Sequence, residues 1–390
     1  MNVPKLRFPE FHGEWSKKTL KEISSEITYG MNSASKTFDG INKYIRITDI
    51  DDESSRFKTD NLVSPSNKLD NNFLVKENDI LFARTGASTG KTYLYNSEDG
   101  KLYYAGFLIK ANIIKHNAYF IFQQTKLEKY KKWVKLTSVR SGQPGINSKE
   151  YGKYSFSTTV LREENKIGLF FSLLDKKIEL QSKKVEALKL FKKGLLNKLI
   201  NDSNGYPIKL EKIFNIFAGG TPSTSNHDYW NGNIKWIQSG LIQNNIINDN
   251  MIKTSISIEG LKHSSAKLIK PNTTLLAMTG ATCGNTAFLT CSATANQSVM
   301  AFESSKCNNK YLYYLFQNNK NYILKFQAGG AQSGINKNSC KNMIFSFPPL
   351  EDQNKIVNVL DAYENMIILR IKQLNMLKEL KKGLMQNMLI

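Results

Sequence analysis

The run Ala83–Thr92, ARTGASTGKT, carries the glycines, lysine and threonine of a loop that cradles nucleotide phosphates. That chemistry needs a glycine, four intervening residues and then Gly-Lys-Thr, so that backbone N–H groups wrap the anion, with a helix N-terminus immediately after. Here Thr85 occupies the glycine's place, Gly86 is one residue out of register, and TYLYN after Lys91 alternates like a strand. A second copy, AMTGATCGNT at 277–286, puts Asn285 where the phosphate-binding lysine belongs. The shared pattern, Thr-Gly-Ala-x-x-Gly-x-Thr, predicts a tight turn used twice in a duplicated domain, and no ATP site.

Other reactive side chains are dispersed. His12, His116, His227 and His263 have no metal-ligand spacing, and Cys283, Cys291, Cys307 and Cys340 form no C-x-x-C pair, so neither a metal site nor a disulfide framework is expected. FPPLE at 347–351 has Phe before the prolines and Leu after them, unlike the Asn/Asp-Pro-Pro-aromatic motif that holds a flipped adenine. Catalysis by this chain is not expected. The formal net charge of +21 suits a polyanionic partner, because each Lys or Arg beside a phosphate releases a condensed counterion. No apolar stretch approaches 18 residues and the N-terminal segment lacks a signal pattern, so no membrane association and a cytoplasmic location are expected.

The elements that position these residues come in two copies. Residues 144–200 align with 333–389 without a gap at an offset of 189, with identities at Gly145/Gly334, Asn147/Asn336, Asn165/Asn354 and the run KKGL at 192–195 and 381–384. The Thr-Gly segments match at an offset of 194, so each unit is one irregular domain followed by one helix. In the first helix Ile167, Phe171, Leu174, Ile178, Gln181, Val185, Leu188, Lys192, Leu195 and Leu199 recur at steps of four and three. The second repeats this with Ile356, Leu360, Tyr363, Ile367, Arg370, Leu374, Leu377, Lys381, Leu384 and Met388, so both carry the seam of a coiled coil. The polar seam positions, Gln181/Arg370 and Lys192/Lys381, read either as side chains snorkelling from a seam edge or as devices that fix register.

Short apolar runs such as DILFA and TLLAM, broken by Gly, Asn and Ser turns, predict an α+β fold with curved sheet. The helices carry net +5 and +1, which leaves +15 on the rest, so nucleic acid is placed on the irregular domains. Candidate base readers are side chains in Gly-rich turns. In the first domain these are Arg84, Ser88, Lys91, Arg140, Ser141 and Gln143; in the second they are Thr221, Ser223, Thr282, Asn285, Gln332 and Ser333. The alternative for each is a turn residue that satisfies backbone groups.

Basic irregular domain and a helix ending in KKGL, both twice over, together with SFPPLEDQNKI at 346–356, which has drifted to SFSTTVLREENKI in the first copy, and GGTPSTSNHDYWNGNIKWIQSG at 219–240, resemble the specificity subunit of a type I restriction–modification system. The resemblance implies two tandem target recognition domains, 1–160 and 204–348, with a spacer helix and linker at 161–203 and a second spacer helix at 349–390. It implies an antiparallel helix pair with a pseudo-twofold internal repeat, each domain reading one half of a bipartite asymmetric site in double-stranded DNA. A helix of about 38 residues spans roughly 57 Å, more than the roughly 34–36 Å of one DNA turn. It also implies two methyltransferase subunits docked on the helices and restriction/translocase subunits beyond them. S-adenosylmethionine, ATP and Mg are then used by those subunits, and no cofactor by this chain. Readings of other classes are a free-standing double-stranded DNA-binding regulator and an interaction scaffold.

Overall fold

The computed structural model describes residues 2–327 and 334–390. It divides into two compact units, Met1–Lys183 with Lys372–Ile390, and Lys184–Ile371. Both long helices, α1 (Leu161–Asn201) and α2 (Leu350–Met388), therefore contribute to both units.

The first unit is built on a four-stranded antiparallel sheet of Ser24–Tyr29 (β1), Asp79–Ala83 (β2), Thr92–Leu94 (β3) and Leu108–Ile113 (β4), in the order β1–β4–β2–β3. DILFA reads as a continuous apolar run because β2 is buried on both faces. Ile80 and Phe82 enter a core with Phe120, Tyr151, Ile167 and Phe171, whereas Leu81 and Ala83 enter another with Ile45, Ile50, Leu102 and Tyr104. A ribbon of Ser16–Thr19 against Ser155–Thr158 leads into α1. Met385 and Met388 at the end of α2, with Leu389 just after it, complete the Phe120 core.

The second unit repeats the plan with Asn215–Ala218 (β5), Asn245–Ile247 (β6), Thr273–Ala277 (β7), Thr286–Leu289 (β8) and Val299–Glu303 (β9), ordered β5–β9–β7–β8–β6. The β6–β8 pair alone is parallel in this sheet. Leu276 faces a core with Phe316, Phe345 and Leu360, while Leu275 and Ala277 face the other side. The ribbon Tyr206–Lys209 with Ile344–Phe347 matches that of the first unit.

Within each unit α1 and α2 run antiparallel. Lys381 Nζ lies 2.6 Å from an Asp175 carboxylate oxygen and Gln181 Nε2 donates to Gln373 Oε1 at 3.4 Å in the first unit; Lys192 pairs with Glu364 in the second. None of the seam positions is exposed, and Val185, Leu360, Ile367 and Leu374 are buried. Lys192 and Lys381 are thus held by carboxylates of the facing helix rather than lying loose at its edge. Each of these pairs joins one turn of a helix to one turn of the facing helix.

Candidate nucleic-acid interface

The twice-used Thr-Gly segment is a tight connection from β2 to β3 and from β7 to β8. Gly90 N–H donates to the Ala83 carbonyl and Ala83 N–H to that of Lys91, both near 2.9 Å; Gly284, Ala277 and Asn285 repeat the two bonds. Gly86, Gly90, Gly280 and Gly284 all have φ between 73° and 89°, which explains why both copies keep glycine at these places. The polar side chains of these turns brace the fold. Lys91 Nζ donates to the Ile50 carbonyl at 2.6 Å and pairs with Asp52, also at 2.6 Å. Asn285 donates to the Ile242 carbonyl and accepts from Lys320, and Thr282 Oγ1 donates to the Ser239 carbonyl. In this conformation the side chains of Lys91, Asn285 and Thr282 are engaged in bracing the turn against neighbouring segments.

Arg84 and Arg140 are brought to one rim of the first domain by residues the sequence did not single out. Arg140 forms a two-pronged pair with Glu150 at 2.6 and 2.7 Å. Glu150 and Asn147 form a capping box at the start of a short helix, and Ser148 N–H donates to Tyr29 Oη at 3.1 Å. The Arg84 guanidinium lies 4.9 Å from the centroid of the Tyr29 ring. Burial raises the Tyr29 phenol, but its hydrogen bonds with Ser148 and the Arg84 charge outweigh it and leave the pKa lowered. Beside Arg84, Phe107 is 64% exposed. Ser141 and Gln143 lie in the exposed loop that follows Arg140.

Ser88 lies elsewhere, in a cleft of about 960 Å3 within the first unit whose walls include Lys91, Lys126, Lys131, Lys135, Lys378 and Lys382. Lys126 Nζ donates to the hydroxyls of Ser55 and Thr92 and rests 4.1 Å from the Phe122 ring centroid. Burial pushes its ammonium down to about 7; the Lys381 and Lys131 charges act in the same direction and Asp175 opposes them. The folded pKa lies below the unfolded value, so the unfolded chain binds more protons between about pH 7 and the ordinary lysine range near 10.4, and stability rises with pH across that window. Lys126→Met is therefore expected to raise Tm by about 2–4 °C at pH 6.5. The gain shrinks toward pH 10; a gain that does not depend on pH contradicts the assignment.

In the second domain Thr221 Oγ1 donates to Gln297 Oε1, Ser223 is bonded to Ser225, and Trp230 Nε1 donates to the Ser223 carbonyl at 3.0 Å. Gln332 and Ser333 lie outside the described residues. Among the described residues no group of three His, Cys, Asp or Glu side chains is arranged to hold a metal ion, and no helix is long and apolar enough to cross a membrane. A polar and aromatic rim and a lysine-lined cleft on the first unit, with polar side chains on the repeated scaffold of the second, suit a duplex-DNA reader.

The family profile described as the type I restriction modification DNA specificity domain matches residues 12–190 and again 206–380. The chain belongs to that family. As a type I specificity subunit with two recognition domains, it has relatives in Methanocaldococcus jannaschii: the MjaIX specificity subunit is 27% identical over 186 residues, which is 47% of this chain and 43% of that one.

The putative MjaX specificity subunit from the same organism is 22% identical over 416 aligned positions, covering 100% of this chain and 96% of that one. In fold, the specificity subunit described from M. genitalium superposes with a TM-score of 0.66 at 13% identity, over 100% of this chain and 99% of that one. A chain from a study of complex assembly in the type I restriction–modification system gives 0.58 at 14% identity, with 95% and 96% covered.

Proposed function

We propose that this specificity subunit reads one half of a bipartite asymmetric DNA site with each recognition domain, and that the helices set the spacing and dock two methyltransferase subunits. The chain itself performs no chemistry in this reading. Restriction/translocase subunits complete the complex, and S-adenosylmethionine, ATP and Mg act through the other subunits. The observation that supports it best is the repetition of one scaffold, with the same Thr-Gly turn and ribbon, on two units that carry different exposed side chains. A single-site regulator has no use for two such scaffolds.

The reading makes phosphate contacts the main source of affinity, so binding must weaken steeply with salt. For the chain assembled with its methyltransferase partners on duplex DNA, log K is expected to fall linearly with log salt. A slope of about −0.9 per phosphate contacted and at least six contacts give a loss of about a thousandfold or more between 50 and 200 mM. An affinity that changes less than about threefold over that range rules out the duplex-DNA reading and favours a protein scaffold.

A further inference from the structure

The two recognition domains can be superimposed bond by bond at the turn that enters β4 and β9. Arg84 N–H donates to the Phe107 carbonyl at 3.0 Å, and Met278 N–H to the Ser298 carbonyl at 2.8 Å. Gly30 N–H donates to Leu108 and Gly219 N–H to Val299; Leu108 N–H closes on Ala105 and Val299 N–H on Asn296. Ala105–Leu108 and Asn296–Val299 are therefore one turn, at an offset of 191 residues.

What this common backbone displays is different in the two domains. The first shows Phe107, 64% exposed, beside the Arg84 guanidinium stacked on Tyr29. In the second, Arg84 is replaced by Met278 and Tyr29 by Ala218, and the exposed residue is Gln297, bonded to Thr221. A large apolar ring kept in solvent on a rigid turn contributes nothing to the core. Against a duplex, a Phe ring suits the thymine methyl group and an adjacent arginine suits guanine, whereas an oriented glutamine amide suits adenine.

We infer that these two turns are the specificity-determining elements of the two half-sites: Phe107 with Arg84 in the first domain, Gln297 with Thr221 in the second. The inference rests on the specificity-subunit reading. Two half-sites read from one scaffold require a fixed backbone with different exposed chemistry on the same turn, and this turn supplies both: at the offset of 191 Phe107 is matched by the half-buried Ser298 and Gln297 by Gly106, so the exposed side chain stands one position earlier in the second domain. Tyr29 is a positioning residue, since it orients Arg84 without being the contact.

The test is the methylation motif written by the chain co-assembled with its methyltransferase partners on a random-sequence duplex library, for wild type, Phe107→Ala and Gln297→Ala. Phe107→Ala is expected to relax discrimination about tenfold at one or two base pairs of one half-site, and Gln297→Ala at one or two base pairs of the other. If an alanine variant does not assemble, Phe107→Leu and Gln297→Glu give the same readout. A wild-type motif that both variants leave intact, or a loss spread evenly over both half-sites, overturns the inference. Failure of the wild-type complex to write any motif strikes instead at the specificity-subunit reading on which it rests.

Discussion

Glu164→Ala is expected to destabilise the first unit by about 2–4 kcal/mol, because it strips a buried joint between domain and helix of its acceptors. The Glu164 side chain is fully buried at the start of α1. It accepts from the backbone N–H groups of Asn117 and Thr159 at 3.0 and 3.1 Å, and His116 Nδ1 lies 2.9 Å from Oε1. Asn117 in turn caps the following short helix and donates to Asn165. The second unit performs the same job with an amide: Gln353 accepts from Asn308 N–H at 3.0 Å and from Cys307, while donating to the Pro348 carbonyl. Glu164→Gln keeps an acceptor oxygen in place, as Gln353 does, and is expected to cost under about 1.5 kcal/mol. Urea denaturation of the two variants decides it; equal losses within about 0.5 kcal/mol show that the carboxylate is not the joint described.

Gly219→Ala is expected to cost about 3–5 kcal/mol, the range reserved for severe steric faults. A Cβ on Gly219 would sit 2.2 Å from the Ala295 carbonyl oxygen and 2.4 Å from that of Asn296. Those carbonyls have little room to retreat, because Gly220 N–H is bonded to Ala295 at 2.8 Å and Gly219 N–H to Val299 at 3.0 Å. Gly30 meets Ala105 in the same way at 2.2 Å, so the close approach belongs to the scaffold and holds the turn before β4 and β9 in place. Gly240, where an added Cβ would meet nothing within 4 Å, provides the control, with an expected effect within about 0.5 kcal/mol. A Tm for Gly219→Ala that matches that of Gly240→Ala contradicts the packing argument.

The helix seam was legible because a heptad needs only one kind of information, the recurrence of apolar residues along a single helix. The Thr-Gly turn was legible because its second copy lost the lysine and kept the glycines, which separates backbone geometry from phosphate chemistry. Long-range pairing was not. Nothing local in the sequence says that Lys91 will close on Asp52 and the Ile50 carbonyl, or that Lys192 will meet Glu364. The rim hid for the same reason: Tyr29 and Ser148 are 119 positions apart, and nothing beside Phe107 in the sequence marks it as the residue that the turn leaves in solvent. The helical stretches Ala118–Thr137 and Asn309–Leu324 are each divided, at Thr125–Leu127 and at Asn319, without a proline or glycine to announce it. At the first break Thr125 Oγ1 turns back to the Phe122 carbonyl and supplies locally what the next helical turn would have supplied.

The central claim, that this chain chooses the sequence a type I complex modifies, is tested most directly by long-read sequencing of modified bases in the source strain, with and without the gene. The account predicts a bipartite asymmetric methyladenine motif, two short defined halves around an unspecified spacer, that disappears on deletion and returns on complementation. A set of methylated motifs that is identical in the two strains, while the methyltransferase partners are demonstrably expressed, would contradict it.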